Sequence, residues 1–183
     1  SSLVILGLAL LANSTYAQAP TPPVSVAGGQ ISGMDNGEIR TFFGVPFAAP
    51  PVGDLRWRSP QPVTPWSGVK STTAFSLACR QTVPWVSGPQ SEDCLYLNIW
   101  TLEKAEKLPV IVWIHGGGYA SGSSQELRPY DGERLAREHD VVLVSMNHRL
   151  NVFGFLDLSQ IGGEKYAQSG NASMLELVQA REW

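Results

Sequence analysis

Two apolar runs limit the fold of this chain more than any other feature of its sequence. Pro109 to Ile114 reads Pro-Val-Ile-Val-Trp-Ile, and Val141 to Met146 reads Val-Val-Leu-Val-Ser-Met. β-Branched residues favour extended backbone, and a nearly unbroken apolar strand calls for cover on both faces. That pattern suits a mostly parallel sheet between helices. Between the runs, Asp131 to His139 has the mixed charge of a short surface helix. Strand, helix, strand is a βαβ unit, and it predicts an α/β fold.

More strands are expected upstream. Val24 to Ser32 and Ile39 to Phe43 alternate, with the turn pair Asn36-Gly37 between them. Leu95 to Thr101 is a further strand. Gly44 to Pro65 holds Pro46, Pro50, Pro51, Pro60, Pro62 and Pro65, so an ordered loop is expected there. Near the end, Ser173-Met174-Leu175-Glu176 fits a capping box that opens a helix. Met174, Leu175, Val178 and Ala180 would form its inner face, and the helical pattern is still open at Trp183. With 43% apolar and 16% charged residues, the chain is too apolar to be disordered. A net charge of −3 supplies no basic footprint for nucleic acid or an anionic membrane.

Leu3 to Ala12 carries no polar side chain. Ten residues are too few for a bilayer, which needs about 20. Small residues follow at Ala17-Gln18-Ala19, so residues 1–19 read as a secretory signal peptide and 20–183 as the mature part. A buried apolar helix is the other reading. The chain starts with Ser1 and has no basic lead-in, so the signal is read as lacking its true start. A secreted or periplasmic location, with no stable membrane anchor, is expected. Cys79 and Cys94 are then more readily paired than left as two buried thiols.

The chemistry is carried by His115-Gly116-Gly117-Gly118-Tyr119, directly after the first apolar run. In open α/β sheets, ligands bind outside the carboxyl ends of the strands, where this loop falls. Backbone N–H groups stabilise a developing oxyanion only within about 3 Å, an approach that a Cβ obstructs. A turn made flexible by glycine is the plainer reading. Phosphate loops fit worse: no Lys follows until Lys165, and Ser121 stands where a dinucleotide loop wants glycine.

These residues, with several other segments, resemble the N-terminal part of a type-B carboxylesterase, the cholinesterase and carboxylesterase family of α/β-hydrolases. Phe43 to Ala48, Pro50-Pro51-Val52-Gly53 with Arg56, and Ser91 to Asn98 carry the likeness. So do His115 to Tyr119 with Ser121-Gly122, then Ser145 to Arg149, Phe153 to Phe155, and Gly170-Asn171. The resemblance implies a mixed, mostly parallel central sheet with an antiparallel N-terminal strand region. It implies that the N–H groups of Gly117 and Gly118 are oxyanion donors, with Tyr119 on the pocket wall. It implies a disulfide between Cys79 and Cys94, around a loop shorter than in cholinesterases; Trp85 inside that loop is read as a packing side chain, with a choline-binding role as the alternative. It also implies buried ion pairs Arg56–Glu92 and Arg149–Glu176. Asp is usual in the family where Glu176 stands, and Gly where Ser173 stands; the capping box is the competing role for Glu176.

No Gly-x-Ser-x-Gly nucleophile turn occurs in the sequence; Gly118 to Gly122 has the wrong spacing. The resemblance implies that the acid and the histidine come later still, so none of the three triad members is expected among these residues. His115 is expected to orient the glycine loop, His139 to end a helix, and His148 to be structural. By the resemblance, the full protein is a serine ester hydrolase acting on small-molecule esters, with no metal or organic cofactor. The fragment alone is expected to be inactive. A non-catalytic binding member of the same fold is the alternative.

Overall fold

A computed structural model describes residues 18–83, 88–125 and 132–183. The leader reading of the first residues and the position of Trp85 lie outside the described residues. Among the described residues there are eleven strands: β1 (Ala19–Pro20), β2 (Val24–Val26), β3 (Gly29–Ser32), β4 (Met34–Asp35), β5 (Ile39–Pro46), β6 (Val69–Ser71), β7 (Ala78–Cys79), β8 (Gln90–Ser91), β9 (Tyr96–Leu102), β10 (Val110–Ile114) and β11 (Val142–Met146). Three α-helices join them: α1 (Glu133–His139), α2 (Asn151–Phe155) and α3 (Ala172–Glu182).

The main sheet has the order β1-β4-β5-β9-β11-β10. It is mixed, as the α/β reading requires. Its parallel part among the described residues is the β10–β11 pair; the other four pairings are antiparallel, so the antiparallel region reaches further than expected. At the Asn36-Gly37 turn, the Asn36 side-chain oxygen accepts from the N–H groups of Glu38 and Ile39. Such local bonds favour a tight reversal, and β4 pairs antiparallel with β5.

One face of the sheet packs on α1 through Ile39, Trp100, Ala136 and Leu143. Another core gathers Phe42, Val45, Phe47, Leu95, Leu97, Met146 and Leu150, with Leu177, Ala180 and Trp183 of the C-terminal segment against it. Trp100 and Phe47 are almost fully buried. Burying side chains of this size stabilises by roughly 1.5–3 kcal/mol each.

Two expectations need correction. Val110 to Ile114 are not covered on both faces: all five are exposed, from 39% to 60%, because β10 is the outer strand and β11 flanks one side only. The helix near the end does not use the capping box. It begins at Ala172, with Asn171 as N-cap and no side-chain cap, so Ser173 and Glu176 lie inside it. Both are fully buried and bond to tertiary partners. The inner face is consequently Ala172, Ser173 and Glu176 with Leu177 and Ala180, whereas Val178 is exposed.

Candidate active site

β10 and β11 run parallel in register, Ile114 beside Met146. Their carboxyl ends therefore deliver two loops side by side, His115 to Tyr119 and Asn147 to Arg149. His115 is buried, whereas Gly116, Gly117, Gly118 and Tyr119 are exposed. The imidazole planes of His115 and His148 stack, with centroids 4.6 Å apart and planes 13° from parallel.

The loop folds back on itself immediately. The Gly117 carbonyl accepts from the N–H groups of Ala120 and Ser121 at 3.1 and 3.2 Å. Gly117 has φ +120°, and a Cβ there would lie 2.0 Å from the Ser121 carbonyl oxygen. Gly122 has φ +111°, and its Cβ would lie 2.4 Å from His115 Nδ1. Both positions need glycine for space and for backbone angle. Gly116 is different, since a Cβ there would meet nothing within 4 Å.

Side chains that the sequence did not single out hold this turn. Buried Gln81, two residues past Cys79, accepts from the Gly122 N–H at 2.7 Å and donates to the Gly122 carbonyl at 2.9 Å. The Asn151 N–H donates to the Tyr119 carbonyl at 2.8 Å. The Ser124 N–H donates to the Asn147 side-chain oxygen at 2.9 Å. Asn98 donates to Ser124 Oγ and Ser145 Oγ, and accepts from the Gly44 N–H at the irregularity in β5. A polar residue at a buried strand position, such as Asn98 within Leu-Tyr-Leu-Asn-Ile-Trp, was the available signal, because such groups are retained with partners.

Cys79 and Cys94 form a disulfide, with Cα atoms 5.1 Å apart. Arg56 grips Glu92 with a two-pronged contact, Nε to Oε2 at 2.5 Å and Nη2 to Oε1 at 2.8 Å. Their hydrogen bond raises the Arg56 pKa. Arg149 meets Glu176 through its Nε, donates its backbone N–H to Glu176 Oε2 at 2.7 Å, and gives Nη2 to the Arg58 carbonyl. Burial pushes the Glu176 carboxyl up, and the charge and N–H groups of Arg149 oppose it. Tyr119, at 55% exposure, sits edge-on to Phe155 and His148. His139 ends α1 exposed. Burial and the neighbouring His115 lower His148 from 6.5 to about 4, so its ring is neutral near pH 7.

A mixed α/β sheet with an exposed glycine turn at the carboxyl end of a strand fits an α/β-hydrolase scaffold, and the relatives share it. The family model described as "Carboxylesterase family" matches residues 20–183, and the chain belongs to that family. It is 41% identical over 162 residues to the fumonisin B1 esterase of Sphingopyxis macrogoltabida, covering 85% of this chain and 29% of that protein. It is 41% identical over 172 residues to the acetylcholinesterase of Electrophorus electricus, covering 86% and 26% respectively. The crystal structure of a Geobacillus stearothermophilus carboxylesterase superposes with a TM-score of 0.81 at 42% identity, over 88% of this chain and 33% of that one. The chain thus spans about a third or less of the length of these relatives.

Proposed function

We propose that the protein to which these residues belong is a carboxylic-ester hydrolase acting on small-molecule esters through a serine acyl-enzyme. The chain supplies the N–H groups of Gly117 and Gly118 as oxyanion donors, with Tyr119 on the pocket wall. The observation that carries this reading is the exposed glycine turn, clamped by Gln81 and backed by His115 at the carboxyl end of β10. Donors fixed beforehand need no reorganisation as charge develops on the substrate oxygen. Each is worth roughly 2.7–4 kcal/mol of transition-state stabilisation. The nucleophile, base and acid belong to later residues, so residues 20–183 alone hydrolyse no ester.

The test starts with the reading frame past Trp183. A Gly-x-Ser-x-Gly within a few tens of residues supports the hydrolase, and another residue at the serine position supports a binding member of the fold. The full-length protein should turn over p-nitrophenyl acetate, and a serine-directed organophosphate should abolish that turnover. Absence of turnover in a folded full-length protein that carries the serine would overturn the reading.

Export is part of the same proposal: residues 1–19 act as a signal, and 20–183 begin the mature esterase domain. The Cys79–Cys94 disulfide supports an oxidising compartment. Among the described residues, no helix is long and apolar enough to cross a membrane. The exported protein should begin near Pro20 by N-terminal sequencing.

A further inference from the structure

The oxyanion assignment leaves open what fixes the glycine loop from behind. His115 opens the loop, and its Nδ1 lies 2.8 Å from the Gly116 carbonyl oxygen. The same ring fills the space that a Cβ on Gly122 would take. Both limbs of the turn therefore rest against the His115 imidazole. One face of that imidazole is covered by the stacked ring of His148.

His148 is itself anchored. Its Nδ1 lies 2.8 Å from Ser173 Oγ and 3.2 Å from the Arg149 carbonyl oxygen. Ser173 is fully buried in the first turn of α3, and Glu176 one turn later holds Arg149. The side chain of His148 is therefore tied to α3 at one edge and pressed flat on His115 at one face.

We propose that His148 and Ser173 are positioning residues for the oxyanion donors: Ser173 fixes the His148 ring, and the His148 ring fixes His115 and with it the N–H directions of Gly117 and Gly118. This rests on the reading of those two glycines as donors. Neither residue touches substrate. They act by holding the donors where charge develops, and a misplacement of about 1 Å in such a site costs up to about 100-fold in rate.

The full-length protein carries the test, in the variants His148→Ala, His148→Phe and Ser173→Ala. In His148→Ala, kcat for a p-nitrophenyl ester should fall about 10- to 100-fold with KM nearly unchanged, since only transition-state contacts are lost. His148→Phe keeps a flat ring on His115 and should recover most of that loss. Ser173→Ala should fall between the two. The affinity of a trifluoromethyl ketone, which forms the oxyanion, should drop in step with kcat. Unchanged kcat in His148→Ala would overturn the proposal, as would a rise in KM matching the fall in kcat/KM.

A second readout separates this proposal from the hydrolase reading. Hydrogen exchange at the Ala120, Ser121 and Gly122 amides, which bond to the Gly117 carbonyl and to Gln81, should speed up in His148→Ala and return toward wild type in His148→Phe. That holds whether or not wild type cleaves any ester. Equal exchange in all the variants would overturn the positioning role by itself, and wild-type inactivity would overturn the hydrolase reading alone.

Discussion

His148 builds a pH dependence into the fold. The folded ring takes up a proton only near pH 4, because burial and His115 oppose its charge, whereas a solvated histidine does so near 6.5. Between those values the unfolded chain binds more protons, so stability is complete above about 6.5 and is lost as pH falls toward 4. The loss is bounded near 3 kcal/mol. Facing the ring are His115, Tyr119 and Ser173, with Arg149 next to it neutralised by Glu176. Thermal midpoints taken from pH 7.5 to 4.5 should fall less in His148→Phe than in wild type; equal falls would assign the acid sensitivity elsewhere. The two ion pairs should also behave differently. Glu176→Leu strands a buried guanidinium and should cost about 3–5 kcal/mol by denaturant midpoint. Arg56→Ala, at a site 36% exposed, should cost about 1 kcal/mol or less. The Arg149–Glu176 pair was legible through family likeness. The Ser-x-x-Glu spacing pointed instead to a cap, because a local rule has no knowledge of His148 and Arg149, the partners that take both side chains. Gln81 left no trace in the sequence, since a lone glutamine in a loop has no periodicity to betray its burial.

At the scale of the element, the glycine turn behaves as one unit with the disulfide loop. Gly117→Ala must push Cβ away from the Ser121 carbonyl, moving the backbone that carries the donor. In the full-length protein, kcat for a p-nitrophenyl ester should fall about 100- to 1000-fold, the cost of losing one such donor. Gly116→Ala has open space and should cost far less. Changing Cys79 and Cys94 together to Ala releases a loop of 15 residues and should lower stability by about 3 kcal/mol. Gln81→Leu would leave both backbone groups of Gly122 unpartnered, at about 1–3 kcal/mol for each buried group. Melting curves check both, and exchange at the Gly122 amide, which donates to Gln81, should accelerate in each. The strand that leads into the turn was legible from its β-branched run, and so was the exposure of the loop from its place after that strand. The clamp was not, because it joins residues 41 positions apart.

Over the whole molecule, the main sheet ends at β10 among the described residues, and that strand is uncovered. Apolar pattern alone implied cover on both faces of β10, and among the described residues that cover is missing from all five positions. The run reports what a strand will pack against, not which segment supplies it, so α1 and the β10–β11 pairing were legible while the outer position of β10 was not. Residues 20–183 alone should therefore associate through this edge, as exposed apolar strand edges do. Val112→Lys should shift sedimentation of that piece toward monomer. In the full-length protein the same substitution should lower the melting temperature, because there the lysine would be buried by whatever completes the sheet. A stabilised full-length variant would show that β10 stays at the surface. The open edge also has a meaning in time. A ribosome adds roughly 5–20 residues per second. In a protein as long as the relatives, these residues would wait on the order of tens of seconds for the rest to be made. Throughout that interval the uncovered apolar strand leading to the glycine turn would be open to a chaperone's grip.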